Sequence, residues 1–297
     1  MLIDKHHLDP EIAERVKAGK IPDKKVEAYF KLVDRIEKEI LPHEVITNNQ
    51  FTRWFRLGDL DMEDVRHFLV QFSVFSNLFL EAQLKKMINA PSLEAMHQSK
   101  EILMNELGVV FRANRSTTKT LDADVEPDLV GTEGTVEGGS FKFAAAHFEW
   151  LLRMNSHVGL TFNDFGKRRH GTKSTLFFCD ELSRLYGGED THVALGASFA
   201  VENWAAAGFW KELISGLQKF KERSCPKLPL AFFLWHDRVE DQHAAHTWHE
   251  LQEEFFSIEL DEDKFIAGGK EMLDGVLAFW KGLNEDRLSR QNKRKVS

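Results

Sequence analysis

Along most of the chain apolar residues recur every three or four positions, the spacing of one face of an α-helix. Residues 23–41 (DKKVEAYFKLVDRIEKEIL) set Val26, Phe30, Val33 and Ile36 in one stripe. Residues 61–89 predict a longer helix, with Asp61 placed to cap its N-terminus. Pro91 and Ser92 end that pattern, and a third helix is expected over 93–110. The pattern resumes at 141–155, and further helices fit 173–186, 191–220, 227–256 and 262–283. No segment alternates as a half-buried strand does, and no internal repeat is visible. The expectation is an all-α protein: one domain over 1–297, a bundle of seven to nine helices.

Two stretches depart from the helical pattern. Residues 112–140 are polar and rich in Gly, Thr and Asp, and are expected to form a loop insertion, mobile or lid-like. Residues 286–297 read as a polar tail that ends on a short basic run, Lys293-Arg294-Lys295.

Composition narrows the function classes. A formal charge of −8 argues against nucleic-acid binding, which needs a basic surface. The two cysteines, Cys179 and Cys225, stand in no CxxC motif, so neither a thiolate metal site nor a disulfide framework is expected. No apolar stretch is long enough to span a bilayer, and the charged N-terminal segment lacks a signal-peptide core. A cytoplasmic location is expected. Only seven prolines favour long helices.

The chemistry emerges when each polar residue is judged by its neighbours at i±3, i±4 and i±7. Ionisable groups on an apolar face are costly to bury unless paired or bound to metal. Glu81 shares its face with Val74, Leu78, Leu84 and Ile88. Glu106 keeps company with Ile102, Leu103 and Val109, and His147 with Trp150, Leu151 and Met154. Glu202 lies among Leu195, Phe199, Ala205 and Phe209. Within AFFLWHDRVEDQHAAHTWH, His236, Glu240 and His243 stand at i, i+4 and i+7 and fall within about 60° around the helix. Phe232 and Phe233 precede them on the same side, whereas Asp237 and Asp241 point away and His249 lies nearly opposite.

Taken singly, each of these residues is more often a satisfied core group than a ligand. Together, carboxylates and imidazoles without thiolate suit iron or manganese. Glu81, Glu106, His147, His236, Glu240 and His243 are too many for one ion with open positions, and they suit two carboxylate-bridged ions inside a helical bundle. A rival scheme uses two Glu-x-x-His pairs, Glu94/His97 and Glu240/His243, as in ferritin-like bundles. Glu94 and His97 have mostly polar neighbours and are expected at the surface, so the ferritin-like fold is the second choice.

On these residues the chain resembles the heme-oxygenase-like diiron oxidases, which share the helical fold of heme oxygenase and the TenA thiaminases. The resemblance rests on Glu81 in NLFLEAQLKKM, Glu106 in ILMNELG, His147 in AAAHFEWLL and the triplet in FFLWHDRVEDQH, with Glu202 in ALGASFAVENWAAAGFW. It spans roughly residues 25 to 256. One departure is that 112–140 separates Glu106 from His147, where the family keeps the first histidine close; His97 is the fallback ligand. The resemblance implies two Fe(II) ions, O2 as co-substrate, and oxidation of a small amine- or carboxylate-bearing metabolite by N-oxygenation, C–C cleavage or decarboxylation. Glu202 is then an extra ligand or a catalytic base. A small-molecule substrate, an electron donor and a homodimer are the partners it allows; nucleic acid and membrane are not. Two other classes compete: a cofactor-free TenA-like enzyme acting on a heterocycle, and a non-catalytic metal-binding protein or scaffold. A heme reading would need His43 as the proximal ligand.

Overall fold

The structure, a computed structural model, describes residues 7–109 and 144–296, with side chains for all of these except 239–246 and 294–296. The expected excursion at 112–140 lies outside the described residues. Twelve α-helices are present among them: α1 (Pro10–Lys17), α2 (Asp23–Glu39), α3 (Glu44–Thr47), α4 (Gln50–Phe55), α5 (Met62–Ile88), α6 (Leu93–Glu106), α7 (His147–Ser156), α8 (Lys173–Glu181), α9 (Thr191–Ala205), α10 (Phe209–Ser224), α11 (Ala231–Ser257) and α12 (Glu262–Val296). No strand occurs in the described residues. The protein is all-α.

The count exceeds seven to nine because α1, α3 and α4 add to the eight expected helices and one of those divides. Short helices α3 and α4, of 4 and 6 residues, are too brief to carry a periodic signal. The expected helix over 191–220 is two helices, because Gly208 adopts φ +93, a left-handed conformation that favours glycine and ends a helix. The expected helix over 173–186 is α-helical to Glu181 and closes in a single π-helical turn, Leu182–Tyr186. The final helix continues to Val296, so the segment expected as a polar tail is helical up to that residue. Asp61 caps α5 as expected: its carboxylate accepts from the Asp64 amide at 2.8 Å, within a reciprocal capping box.

Helix α12 is central, packing against α9, α8, α4, α3 and α2. Its approach to α9 is close. A Cβ on Gly196 would run into the Phe265 carbonyl, and one on Gly268 into the Val193 carbonyl. On the other side of α9 lies α11, which also meets α10 and α7. Helix α5 reaches α6, α7 and α8. The core between them is aromatic: Phe68, Phe72, Phe178, Phe220, Phe233, Phe265, Phe279 and Trp280 are all less than 2 % exposed. Burying each such ring contributes roughly 1.5–3 kcal/mol. Among the described residues no helix is long and apolar enough to cross a membrane.

Candidate metal centre

Three of the expected ligands meet where α6, α7 and α11 converge. His147 begins α7, buried at 8 % exposure, and its Nδ1 lies 2.6 Å from Oε2 of Glu106 in the last turn of α6. An ionised carboxylate can only accept, so Nδ1–H donates and Nε2 is the ring nitrogen placed to coordinate a metal. Both side chains are largely buried, at 10 % and 15 % exposure. The His147 and His236 rings lie 4.7 Å apart between centroids. His236 sits in the second turn of α11, and its Nδ1 is 2.7 Å from the Phe232 carbonyl one turn back. That acceptor again fixes the proton on Nδ1 and the lone pair on Nε2. Histidines that bind metal commonly donate their other ring nitrogen to a carboxylate or carbonyl in this way.

Aromatic rings enclose the pair. Trp210 stacks on His236 at 4.6 Å and 23°, and Phe232 is 4.2 Å from the same ring. Trp235 lies 5.0 Å from both imidazoles, and Trp150 is 5.6 Å from His147. Among the neighbours that gave Glu106 and His147 their apolar faces, Leu103, Leu151 and Met154 are buried, whereas Ile102 is 42 % exposed. The enclosing tryptophans were not expected from the sequence. Trp210 meets His236 from another helix, and the sequence hints only at Trp150, three residues after His147, and at Trp235, adjacent to His236.

Glu81 departs from expectation. Its side chain is 55 % exposed and lies 3.7 Å from Lys85 in an i,i+4 ion pair. With Lys85, Arg168, Asp180, Ser183 and Arg184 it lines an open surface depression. The physical reason is that α5 carries two apolar stripes. The one that meets the core runs through Phe72, Phe75, Phe79 and Ala82. Glu81 belongs to the other, where Leu84 and Ile88 are 43 % and 61 % exposed. No described contact joins Glu81 to Glu106, His147 or His236.

Glu202, half-buried on α9, faces a different polar group. Lys86 donates to the Ser198 hydroxyl at 2.9 Å and lies 4.7 Å over the Tyr186 ring. Tyr186, in the π-helical turn, donates to Gln83 at 2.7 Å. Burial pulls the Lys86 ammonium down, but Tyr186, Glu250 and Glu202 outweigh it and hold its pKa above the ordinary lysine value. Burial pushes the Tyr186 phenol up to about 12. Lys86 is therefore a fixed positive charge in the neighbourhood of Glu202 and Glu250. Sequence reasoning missed Lys86 because a lysine between Lys85 and Met87 reads as solvated.

Residues 240 and 243 lie within the continuous α11, but their side chains are outside the described residues. Among the described residues no group of three or more His, Cys, Asp or Glu is arranged to hold a metal ion. The donor chemistry nevertheless fits one: two imidazoles with Nδ1 committed to outer partners and a buried carboxylate beside them. Glu94 and His97 are both exposed, as expected for a pair outside the centre. His249 is also at the surface, paired with Asp9 at 2.5 Å. His43 does not suit heme. Its Nδ1 accepts from the Val45 amide at 3.2 Å, so Nε2 must donate to Asp274, and no lone pair remains for iron.

Comparison with known proteins supports the fold. No protein-family profile matches the chain, and no curated protein matches its sequence. Among solved structures, two crystal structures of a CADD-like protein of unknown function from Nostoc punctiforme are similar in fold. One is 13 % identical with a TM-score of 0.55, covering 91 % of this chain and 98 % of that one. The other is 16 % identical with a TM-score of 0.56, covering 89 % and 99 %. At such identities the likeness is one of fold.

Proposed function

We propose that this protein is a non-heme diiron oxidoreductase that uses O2 to oxidise a small metabolite bearing an amine or a carboxylate. The observation that carries the reading is the meeting of Glu106, His147 and His236 in an aromatic enclosure, with both imidazoles held by outer hydrogen bonds. Glu240 and His243, one and two turns further along α11, extend the donor set. Glu202 is the remaining carboxylate, an extra ligand or a base in this reading, and it lies in the neighbourhood of the Lys86 charge. Bound iron would supply the activation of O2. Phe232, Trp210 and Trp235 would exclude water, and the hydrogen bond from His147 to Glu106 would orient the imidazole. An amine or carboxylate is favoured because such a group can dock at an open coordination position.

Anaerobic titration with ferrous ion tests this. About two irons per chain are expected, as in two-metal sites. Binding that stops at one ion counts against it. A cofactor-free enzyme is the second reading, favoured by the Lys86–Tyr186–Glu202 cluster, which needs no metal to be satisfied. Protein grown with iron and purified without any, yet active on a heterocycle, would select it.

A further inference from the structure

We propose that Trp235 is the point at which electrons pass between solvent and the centre, with Trp150 as its supporting ring. The inference rests on the diiron reading. It is motivated by geometry that packing alone does not require. Among the described rings around His147 and His236, Trp150 is half-buried and Trp235 is the most exposed. Phe232 and Trp210 are 2 % and 5 % exposed, whereas Trp235 is 37 % exposed. Trp235 thus combines exposure to solvent with contact to both imidazoles, 5.0 Å from each centroid. Aromatic rings at that separation are in van der Waals contact. Trp150 closes a triangle, 5.7 Å from Trp235 and 5.6 Å from His147. A large exposed aromatic on a helix is a poor choice for solubility, and aliphatic residues would seal the enclosure as well.

Chemistry favours the same assignment. Indole gives up one electron more readily than any other neutral side chain except phenol, and the protein has only two tyrosines, Tyr29 and Tyr186, neither with a described contact to the imidazoles. The exchange is a one-electron step. In the reducing direction a one-electron reductant in solution passes an electron to the centre across the ring. In the oxidising direction Trp235 loses one electron to an outside oxidant and regains one from Fe(II), which becomes Fe(III). No proton need leave the ring, and no bond is made or broken.

The test runs in the oxidising direction. The intact protein is loaded anaerobically with Fe(II), its iron content is measured, and a flash-oxidised ruthenium polypyridyl complex in solution is the one-electron acceptor. In the parent protein a transient indole radical should appear and decay as ferric iron forms; in zinc-loaded protein it should persist. Trp235→Phe keeps the packing and should slow ferrous oxidation about tenfold or more at unchanged iron content and melting temperature. Trp150→Phe should slow it less. Trp54→Phe, whose ring lies against Arg287, should have no effect. Unchanged rates in Trp235→Phe at normal iron content would overturn the relay while leaving the diiron reading standing. Failure of the parent to bind iron would remove both, and the iron assay reports it separately.

Discussion

Glu106 and Glu81 are both glutamates on apolar stripes of adjacent helices, yet they end in opposite environments. Glu106 is held by a buried histidine at 2.6 Å, whereas Glu81 pairs with Lys85 in solvent. The difference lies outside either residue's own helix. The chain returns at α7 and α11 to cover Glu106, bringing His147 and His236 with it. At Glu81 the neighbouring elements supply Arg168, Asp180, Ser183 and Arg184, a charged and open surface. Apolar neighbours at i±3 and i±4 therefore establish a stripe, and only a second helix makes that stripe an interior.

The sharpest way to break this comparison is to remove the ligands on one side of it. His147→Ala and His236→Ala are each expected to lower iron affinity at least about 100-fold, above the 10–100-fold typical of losing an outer-shell partner. Glu106→Gln should also fall at least within that range. Glu81→Ala should change iron affinity by less than about twofold and stability by about 0.5 kcal/mol at most, as for an exposed ion pair. Iron content after anaerobic loading and thermal melts decide it. Equal loss of iron from Glu81→Ala and Glu106→Gln would dissolve the distinction.

Lys86→Met sharpens the same contrast. Lys86 is partly buried beside two carboxylates, whereas Lys85, one residue earlier, is exposed beside Glu81. Leaving Glu202 and Glu250 without their counter-charge should cost about 1–3 kcal/mol. Lys85→Met should cost about 0.5 kcal/mol or less. Urea midpoints compare the two directly; similar shifts would show that the Lys86 cluster is as solvated as the Glu81 face.

How far the sequence foretold these outcomes depends on how many helices each feature needs. The long helices were legible, down to the Asp61 cap, because periodicity and capping act within one segment, whereas the short α1, α3 and α4 were not. The divide at Gly208 and the π-helical turn at Leu182–Tyr186 were not, since apolar residues continue through both. The partial burial of Glu106 and the burial of His147 were legible from Leu103, Leu151 and Met154, which the core does use, although Ile102 beside Glu106 is exposed. Glu81 misled because α5 is apolar on two sides and only contact with α8 and α6 selects between them. Trp210 takes its place from a helix other than that of His236, so nothing local could place it there, whereas Trp150 stands three residues from His147 on α7.

The smallest effect lies at the far end of α11, where His249 should act opposite to the histidines of the centre. Its Nδ1 faces Asp9 at 2.5 Å and its Nε2 faces Glu253 at 3.4 Å, with the side chain 48 % exposed. The hydrogen bond to Asp9 raises its pKa above the usual histidine value, against a smaller opposing effect of burial. A group whose folded pKa is raised stabilises the protein fully below the unfolded value, near 6.5. That contribution fades as pH rises through the folded value. The link between α1 and α11 should thus be firmest in mild acid and weaken toward alkaline pH. Solvent screening limits the whole effect to about 0.5 kcal/mol. His249→Gln should flatten this part of the stability–pH curve, with stability measured by urea unfolding at several pH values, and leave iron content unchanged. If instead the variant loses iron while its pH profile matches the parent, His249 belongs to the centre and the assignment of faces along α11 is inverted.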